Sequence, residues 1–173
     1  AILLSKLRGE ACCVTMTFDR YKPLEDLTLW HGRLDSEDNY YAFRWHQVVQ
    51  PLDLSDGTLK TFNGPLAIAF LGFQSDEGIK RNKGRAGAVN GPASIRHELA
   101  NLPCYFDRSV ALFDAGDIVC EDGDLEESQR QLGEAVKRLL GLNLFPIVLG
   151  GGHEVAYGHY QGVMRHYTQS GSQ

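Results

Sequence analysis

The sequence predicts an α/β fold of three layers, in which helices cover both faces of a mainly parallel sheet. Apolar segments of strand length alternate with amphipathic segments of helical length across residues 61–173. This alternation is typical of parallel strands that are buried on both faces. Residues 1–60 hold both tryptophans and show no sustained period, so we expect an irregular N-terminal segment there. With 43% hydrophobic residues, a chain of 173 residues can bury one sizeable core.

The first predicted strand is the apolar run from Leu66 to Gly72, which has the length of a strand buried on both faces. A buried helix is the competing interpretation of this run. A polar, glycine-rich stretch from residue 73 to 90 follows. Gly91-Pro92 then begins a helix, because proline fits the first helical turn. The predicted inner face of this helix consists of Ile95, Leu99 and Leu102.

The second half of the chain repeats this strand and helix pattern. Val110–Phe113 is a predicted strand, and Asp124 followed by Glu127 resembles the capping box at the start of an amphipathic helix. The third predicted strand is Leu144–Leu149, and a helix from Val155 to His166 follows it. Open sheets usually have about four to six strands. We therefore expect a fold truncated after about three strands, whose third strand needs a neighbour from outside this chain.

Charge and composition argue against several classes of protein. The net charge of −5 disfavours a nucleic-acid binder, because phosphate neutralisation needs a basic surface. No apolar run reaches the roughly 18 residues of a membrane-spanning helix. None of the four cysteines makes a C-x-x-C pair, so we interpret them as reduced thiols. We expect a cytoplasmic protein. Met16 would make a natural start, so residues 1–15 are upstream translated sequence, a foreign remnant or part of the natural protein, and the sequence leaves these alternatives open.

The loop after the first predicted strand is unusually basic. Four of the chain's 17 basic residues fall within six positions, namely Lys80, Arg81, Lys83 and Arg85. A cationic, glycine-rich loop that leads into a helix is suited to binding a carboxylate or a phosphate, because guanidinium groups and free backbone N–H groups both donate hydrogen bonds. The alternative is an ordinary solvated surface loop.

The loop after the third predicted strand places Gly150, Gly151 and Gly152 directly before His153. Three glycines allow a sharp turn that would bring the imidazole to the end of the strand, where it could bind a metal. A structural, hydrogen-bonded histidine is the alternative. The sequence does not match the zinc motif H-E-x-x-H, because Tyr157 occupies the second histidine position. His159 lies on a different helical face and is a poor partner for chelation.

Several carboxylates also precede helices or follow strands. Asp114 and Asp117 could bind a metal, but carboxylates at strand ends more often cap backbone N–H groups. Asp122 and Asp124 precede a clear helix start, so we interpret both as capping residues.

Eight short motifs, taken together, carry a family resemblance. They are Gly72-Phe73, Asp76 to Asn82, Gly84-Arg85, Gly87-Ala88, Gly91-Pro92, Ile95-Arg96, Asp114 to Ile118, and Gly150 to Glu154. In this order and spacing they resemble the formimidoylglutamases of the arginase and agmatinase superfamily, over about residues 60–165. The Asp-Glu-Gly piece and the third glycine before His153 look more like formimidoylglutamase than like arginase or agmatinase.

The resemblance implies hydrolysis of N-formimidoyl-L-glutamate to L-glutamate and formamide, a step of histidine degradation. It also implies a pair of manganese ions, which would lower the pKa of a bridging water so that it can attack the amidine carbon. By the same resemblance, His153 would bind one ion, and Arg85 with Asn82 is the candidate for binding the substrate carboxylate. The family's other ligands lie in Asp-x-His-x-Asp and Asp-x-Asp segments, which do not occur after His153.

These expectations make this chain the N-terminal half of an arginase-like domain, with catalytic residues expected beyond Gln173. One imidazole cannot hold manganese tightly, so the chain alone should be inactive. Three alternatives are an agmatinase-like hydrolase, a non-catalytic anion-binding module, and a subunit that pairs with another chain carrying the missing segments. The sequence leaves homo-oligomer formation open.

Overall fold

The structure is a computed structural model that describes residues 19–170. The interpretation of residues 1–15 therefore falls outside the described part of the chain. The strands are β1 (Tyr21–Lys22), β2 (Gln50–Pro51), β3 (Leu66–Gln74), β4 (Val110–Val119) and β5 (Phe145–Leu149). The helices are α1 (Glu77–Arg81), α2 (Gly91–Ala100), α3 (Leu125–Gly141) and α4 (Val155–Ser170). Short 3-10 turns cover Tyr40–Ala42, Trp45–Gln47 and Ala88–Asn90.

The sheet is mainly parallel, and β3 lies at its centre. β3 pairs in parallel with β4 on one side and with β5 on the other. The outer edge of β4 is covered by β2, which is parallel to it, and by β1, which is antiparallel. Within residues 19–170, β5 pairs with β3 alone, so its outer edge is open. The predicted third strand therefore has one neighbour in the part of the chain that the structure describes.

Helices cover both faces of the sheet, which confirms the predicted three-layer α/β fold. Because side chains alternate along a strand, β3 contributes to two cores. Ala69 and Leu71 pack in the larger core with Leu132 and Val136 of α3. Phe70 packs in the second core with residues of α2 and the N-terminal segment, including Trp30. No helix in the described range combines the length and apolarity needed to cross a bilayer.

The inner face of α2 differs from the prediction. Its buried residues are Pro92, Arg96 and Ala100, whereas Ile95 and Leu102 are 37% and 41% exposed. The rule of an apolar inner stripe fails at Arg96, because this buried side chain pairs with the carboxylates of Asp114 and Asp117. The predicted inner stripe was therefore wrong for Ile95 and Leu102, whereas Leu99 is partly buried and packs against the second core.

The second long strand also extends further than predicted. β4 runs through the Asp114–Ile118 segment and contains a bulge, since its register with β3 shifts between Phe70 and Gly72. Gly116 supplies the positive φ of 73° at this bulge. Residues three apart normally point to opposite faces of a strand, and the extra residue turns Asp114 and Asp117 to the same face. Both aspartates are consequently buried inside the fold. Asp114 also caps a backbone group, as predicted, because its Oδ1 atom accepts a hydrogen bond from the N–H of Gly116 at 3.0 Å.

Candidate active site at the carboxyl edge of the sheet

Two loops meet where β3 and β5 end. These strands are parallel neighbours, with Gly72 opposite Leu149, so their following loops leave from the same edge of the sheet. The backbone N–H of Gly151 donates to the carbonyl of Phe73 at 2.8 Å. The turn that carries His153 is thereby fixed against the end of the central strand.

Close backbone approach explains the glycines of this turn. A Cβ atom added to Gly151 would lie 2.5 Å from the Ser75 carbonyl oxygen, and one added to Gly91 would lie 2.5 Å from the Gly150 carbonyl oxygen. Among the described glycines, positive φ angles occur at Gly87, Gly116 and Gly123. The glycines of the His153 turn are therefore not required for a left-handed backbone conformation. The glycines let the His153 turn pack tightly between the end of β3 and the start of α2.

A cleft of about 290 Å³ lies between the two loops. It is lined by Gly78, Ile79, Asn82, Gly84, His153 and Glu154. The imidazole of His153 is exposed and has no hydrogen-bond partner within residues 19–170. Two residues chosen from the sequence, Asn82 and His153, therefore line the same cleft from opposite loops.

Arg85 lies outside this set of cleft residues. Its side chain is exposed and unpaired in the part of the chain that the structure describes, so it is available to a ligand. Arg81, by contrast, forms ion pairs with Glu126 and Glu77, with N···O distances of 2.5 Å and 3.2 Å. These hydrogen bonds, led by Glu126, raise the pKa of Arg81. The free cations of the loop are thus fewer than its composition suggests.

The basic loop is ordered by one carboxylate at its start. Asp76 accepts hydrogen bonds from the backbone N–H groups of Val89 at 2.9 Å and Gly87 at 3.1 Å. The bond from Val89 is the main reason why the pKa of Asp76 is lowered. Within the loop, α1 forms a helical turn that the sequence analysis did not predict, and Lys83 has a positive φ of 55°. Asp76 therefore joins the two ends of the segment that carries Asn82 and Arg85.

Glu154 is a cleft residue that the sequence analysis did not single out. Its Oε1 atom is buried and has no hydrogen-bond partner among the described residues. The carboxylate is so close to two glycines that an added Cβ atom on Gly152 would lie 2.0 Å from Glu154 Oε2, and one on Gly78 would lie 2.8 Å from it. The motif that ends in His153-Glu154 already contained this residue, but no spacing rule gave it a function.

A buried ionic network lies between α2 and β4. Arg96 donates to Asp114 Oδ2 at 2.6 Å and to Asp117 Oδ1 at 2.8 Å, and all three side chains are at most 8% exposed. Trp30 Nε1 also donates to Asp114 at 2.6 Å. Asp114 and Asp117 are thus occupied by Arg96, so neither is a free metal ligand. The network holds α2 and the N-terminal segment against β4.

The described residues do not form a complete metal site. Between residues 19 and 170 there is no group of three or more histidine, cysteine, aspartate or glutamate side chains that could hold a metal ion. Burial lowers the pKa of His159, the residue that the sequence analysis judged a poor partner for His153. His153 alone can occupy one coordination position, and a firmly bound divalent ion needs more donors.

Comparisons with known proteins agree with this architecture. Residues 66–172 match the model of the arginase family. A formimidoylglutamase from Clostridium tetani is 57% identical over 146 residues, which are 84% of this chain and 43% of the relative. One from a Geobacillus species is 49% identical over 138 residues, or 80% of this chain and 42% of the relative. The chain spans less than half the length of these relatives.

Solved structures of a formiminoglutamase also match part of this chain. The crystal structure of Trypanosoma cruzi formiminoglutamase with Mn²⁺ matches with a TM-score of 0.52 and 35% sequence identity. The match covers 59% of this chain and 36% of that chain. A variant of the same protein, also with Mn²⁺, matches with 37% identity and a TM-score of 0.52, over 60% of this chain and 36% of that chain.

Proposed function

Because this chain belongs to the arginase family, we propose that it forms part of a formimidoylglutamase. The reaction is hydrolysis of N-formimidoyl-L-glutamate to L-glutamate and formamide, in cytoplasmic histidine degradation. The observation that carries this proposal is the cleft at the carboxyl edge of the sheet, where Asn82 and His153 converge from two loops. The similarity to proteins named formimidoylglutamase supplies the choice of substrate.

In this proposal His153 is one ligand of a manganese centre. Its imidazole is exposed and unpaired in the described chain, as a ligand awaiting a metal would be. The T. cruzi relative was crystallised with Mn²⁺, which supports manganese as the metal. Residues 19–170 do not complete such a centre, and the proposal places the remaining ligands and the catalytic groups beyond Gln173. The chain by itself is then inactive.

The same proposal assigns the carboxylate end of the substrate to the basic loop. Asn82 lines the cleft, and Arg85, three residues further along, is a guanidinium without a partner among residues 19–170. A guanidinium can bind a carboxylate through two parallel hydrogen bonds. Arg81 is not assigned to the substrate, because Glu77 and Glu126 already bind it.

The experiment compares the chain alone with a chimeric protein that joins it to the remaining part of the C. tetani relative. With Mn²⁺, we expect the chimera to release formamide from N-formimidoyl-L-glutamate and the chain alone to release none. His153→Ala should lower both the manganese content and formamide release of the chimera, whereas the exposed α2 residue His97 can be changed to alanine as a matched control. Urea release from agmatine, without formamide release, would instead support an agmatinase-like enzyme.

A further inference from the structure

Arg85 lies in a short stretch of chain that is fixed at both ends. On its N-terminal side, the backbone N–H of Gly84 donates to the carbonyl of Ile79 at 2.8 Å, just after α1 ends. On its C-terminal side, the backbone N–H of Gly87 donates to both carboxylate oxygens of Asp76 at 3.1 Å. Arg85 therefore follows one anchored residue directly and precedes the other by two positions, so its backbone has little freedom.

The carboxylate of Asp76 provides the second of these anchors. It also accepts a hydrogen bond from the N–H of Val89 at 2.9 Å, and hydrogen bonds from Val89, Gly87 and Ala88 lower the pKa of Asp76. These consecutive N–H groups precede α2, in the loop where the sequence predicted free donors for an anion. A carboxylate of the protein itself occupies them, so a substrate carboxylate must bind to side chains of the loop instead.

We infer that Asp76 is a positioning residue, which holds Arg85 in the conformation that binds the substrate carboxylate. This inference rests on the proposed function, in which Arg85 binds that carboxylate. Asp76 lies outside the set of residues that line the cleft, and both of its carboxylate oxygens accept backbone hydrogen bonds. It therefore acts through the backbone of the loop and not by contact with the substrate.

Charge and position make opposite predictions for the loss of this carboxylate. By charge alone, removing the negative Asp76 side chain would strengthen the binding of an anion nearby. Loss of the anchor weakens binding instead, because the loop and Arg85 must then be ordered at the moment of binding. The direction of the change in affinity therefore distinguishes a positioning role from a simple electrostatic one.

The test measures binding of L-glutamate, which carries both carboxylates of the substrate, to the 173-residue chain without metal. Binding is followed by NMR through the backbone amide signal of Gly84, and we expect it to be saturable in the millimolar range. Arg85→Ala should weaken it by about tenfold or more, because a charge-assisted hydrogen bond is lost. Asp76→Ala should weaken it by about threefold or more. The double variant should bind no more weakly than Arg85→Ala, since Asp76 acts through Arg85.

Gly87→Ala disturbs the same anchor without removing a charge. Gly87 has a φ of 128°, which side chains of L-residues rarely adopt, and an added Cβ atom would have open space around it. This variant should therefore also weaken glutamate binding, through backbone strain alone. In both variants trypsin should cut faster after Arg85, whereas an unchanged rate after the exposed Arg108 shows that the rest of the chain remains folded.

Asp107→Ala is the matched control. Asp107 lies in the loop before β4, at the other edge of the sheet, and accepts a hydrogen bond from the backbone N–H of Ser109 at 2.6 Å. Its replacement removes the same charge and a similar loop contact, and the affinity for glutamate should stay at the wild-type value.

Unchanged or tighter glutamate binding by Asp76→Ala would overturn the inference. A double variant that binds more weakly than Arg85→Ala would do the same, as would a wild-type chain that shows no saturable binding. The probe needs neither metal nor hydrolysis. A chimera that releases no formamide, beside the expected pattern of glutamate affinities, would therefore defeat the proposed function alone.

Discussion

At the scale of single residues, Arg96 is the most consequential side chain outside the cleft. It is fully buried and neutralises both Asp114 and Asp117. Replacing one partner of a buried ion pair leaves the other charges uncompensated, at a cost of ~3–5 kcal/mol. We therefore expect Arg96→Met to lower the melting temperature by roughly 10 °C, measured by circular dichroism.

Arg130 provides the matched control for this substitution. It pairs with Glu127 on the surface of α3 at 2.6 Å and is half exposed. Exposed ion pairs contribute little, so Arg130→Met should change the stability by less than about 1 kcal/mol. A similar, small effect of both substitutions would show that the buried network is not what holds α2 on the sheet.

The sequence could predict the position of a single residue only where one structural rule determines that position. Asn82 and His153, which the family resemblance selected, line one cleft because loops after parallel strands leave from the same edge of the sheet. Arg96 was missed because helical periodicity selects apolar residues, whereas its burial depends on the β4 bulge that turns Asp114 and Asp117 to one face. Glu154 was missed because its isolation becomes visible only once the backbone of Gly78 lies beside it.

At the scale of elements, α3 and α4 cross in close contact through glycines. A Cβ atom on Gly162 would lie 2.5 Å from the Gly133 carbonyl oxygen and 2.6 Å from Val136 Cβ. We expect Gly162→Ala to destabilise the chain by ~1–3 kcal/mol, because the helices must separate. Gly141, the last residue of α3, has open space around it. Gly141→Ala should be neutral or slightly stabilising, and urea denaturation of the two variants distinguishes these outcomes.

The first turn of α3 should make stability depend on pH. Hydrogen bonds from Arg130, and then from Gln131, lower the pKa of Glu127 from 4.5 to about 2. A carboxyl group whose pKa is lower in the folded state stabilises fully above its unfolded pKa and loses this contribution as the pH falls through its folded pKa. The stability difference between wild type and Glu127→Gln should therefore shrink between about pH 4.5 and about pH 2. Glu98→Gln removes the same charge at a site 87% exposed and is the control variant.

Most elements could be predicted from the sequence, but their ends could not. The predicted cap of α3 is confirmed, since Asp124 accepts a hydrogen bond from the N–H of Glu127 at 3.0 Å. β4 was predicted too short because Asp114 and Asp117 look like turn residues when their buried partner Arg96 is unknown. α1 was missed because five helical residues within a polar loop carry too little periodicity to recognise.

At the scale of the whole molecule, two apolar features lie on the open side of the sheet. β5 has an unpaired outer edge within residues 19–170, and Phe145 at its start is 60% exposed. A stripe of large side chains on α4 is also 42–62% exposed and consists of Tyr157, Tyr160, Met164 and Tyr167. These positions lie on the side of the helix opposite Gly158 and Gly162, which pack on α3. Unpaired strand edges and contiguous apolar surface both promote association.

We therefore expect the purified chain to self-associate through this side. Sedimentation velocity should show a concentration-dependent increase in mass, because open edges of β5 can pair and the α4 stripes can cover one another. Met164→Glu introduces a charge into the stripe and should shift the equilibrium toward monomer by about tenfold or more, since burying an unpaired carboxylate is costly. Tyr41→Glu is the control, at a position 91% exposed in the N-terminal segment. If both variants and the wild type remain monomeric at all concentrations, the exposed stripe is stable in water and the open edge of β5 does not drive association.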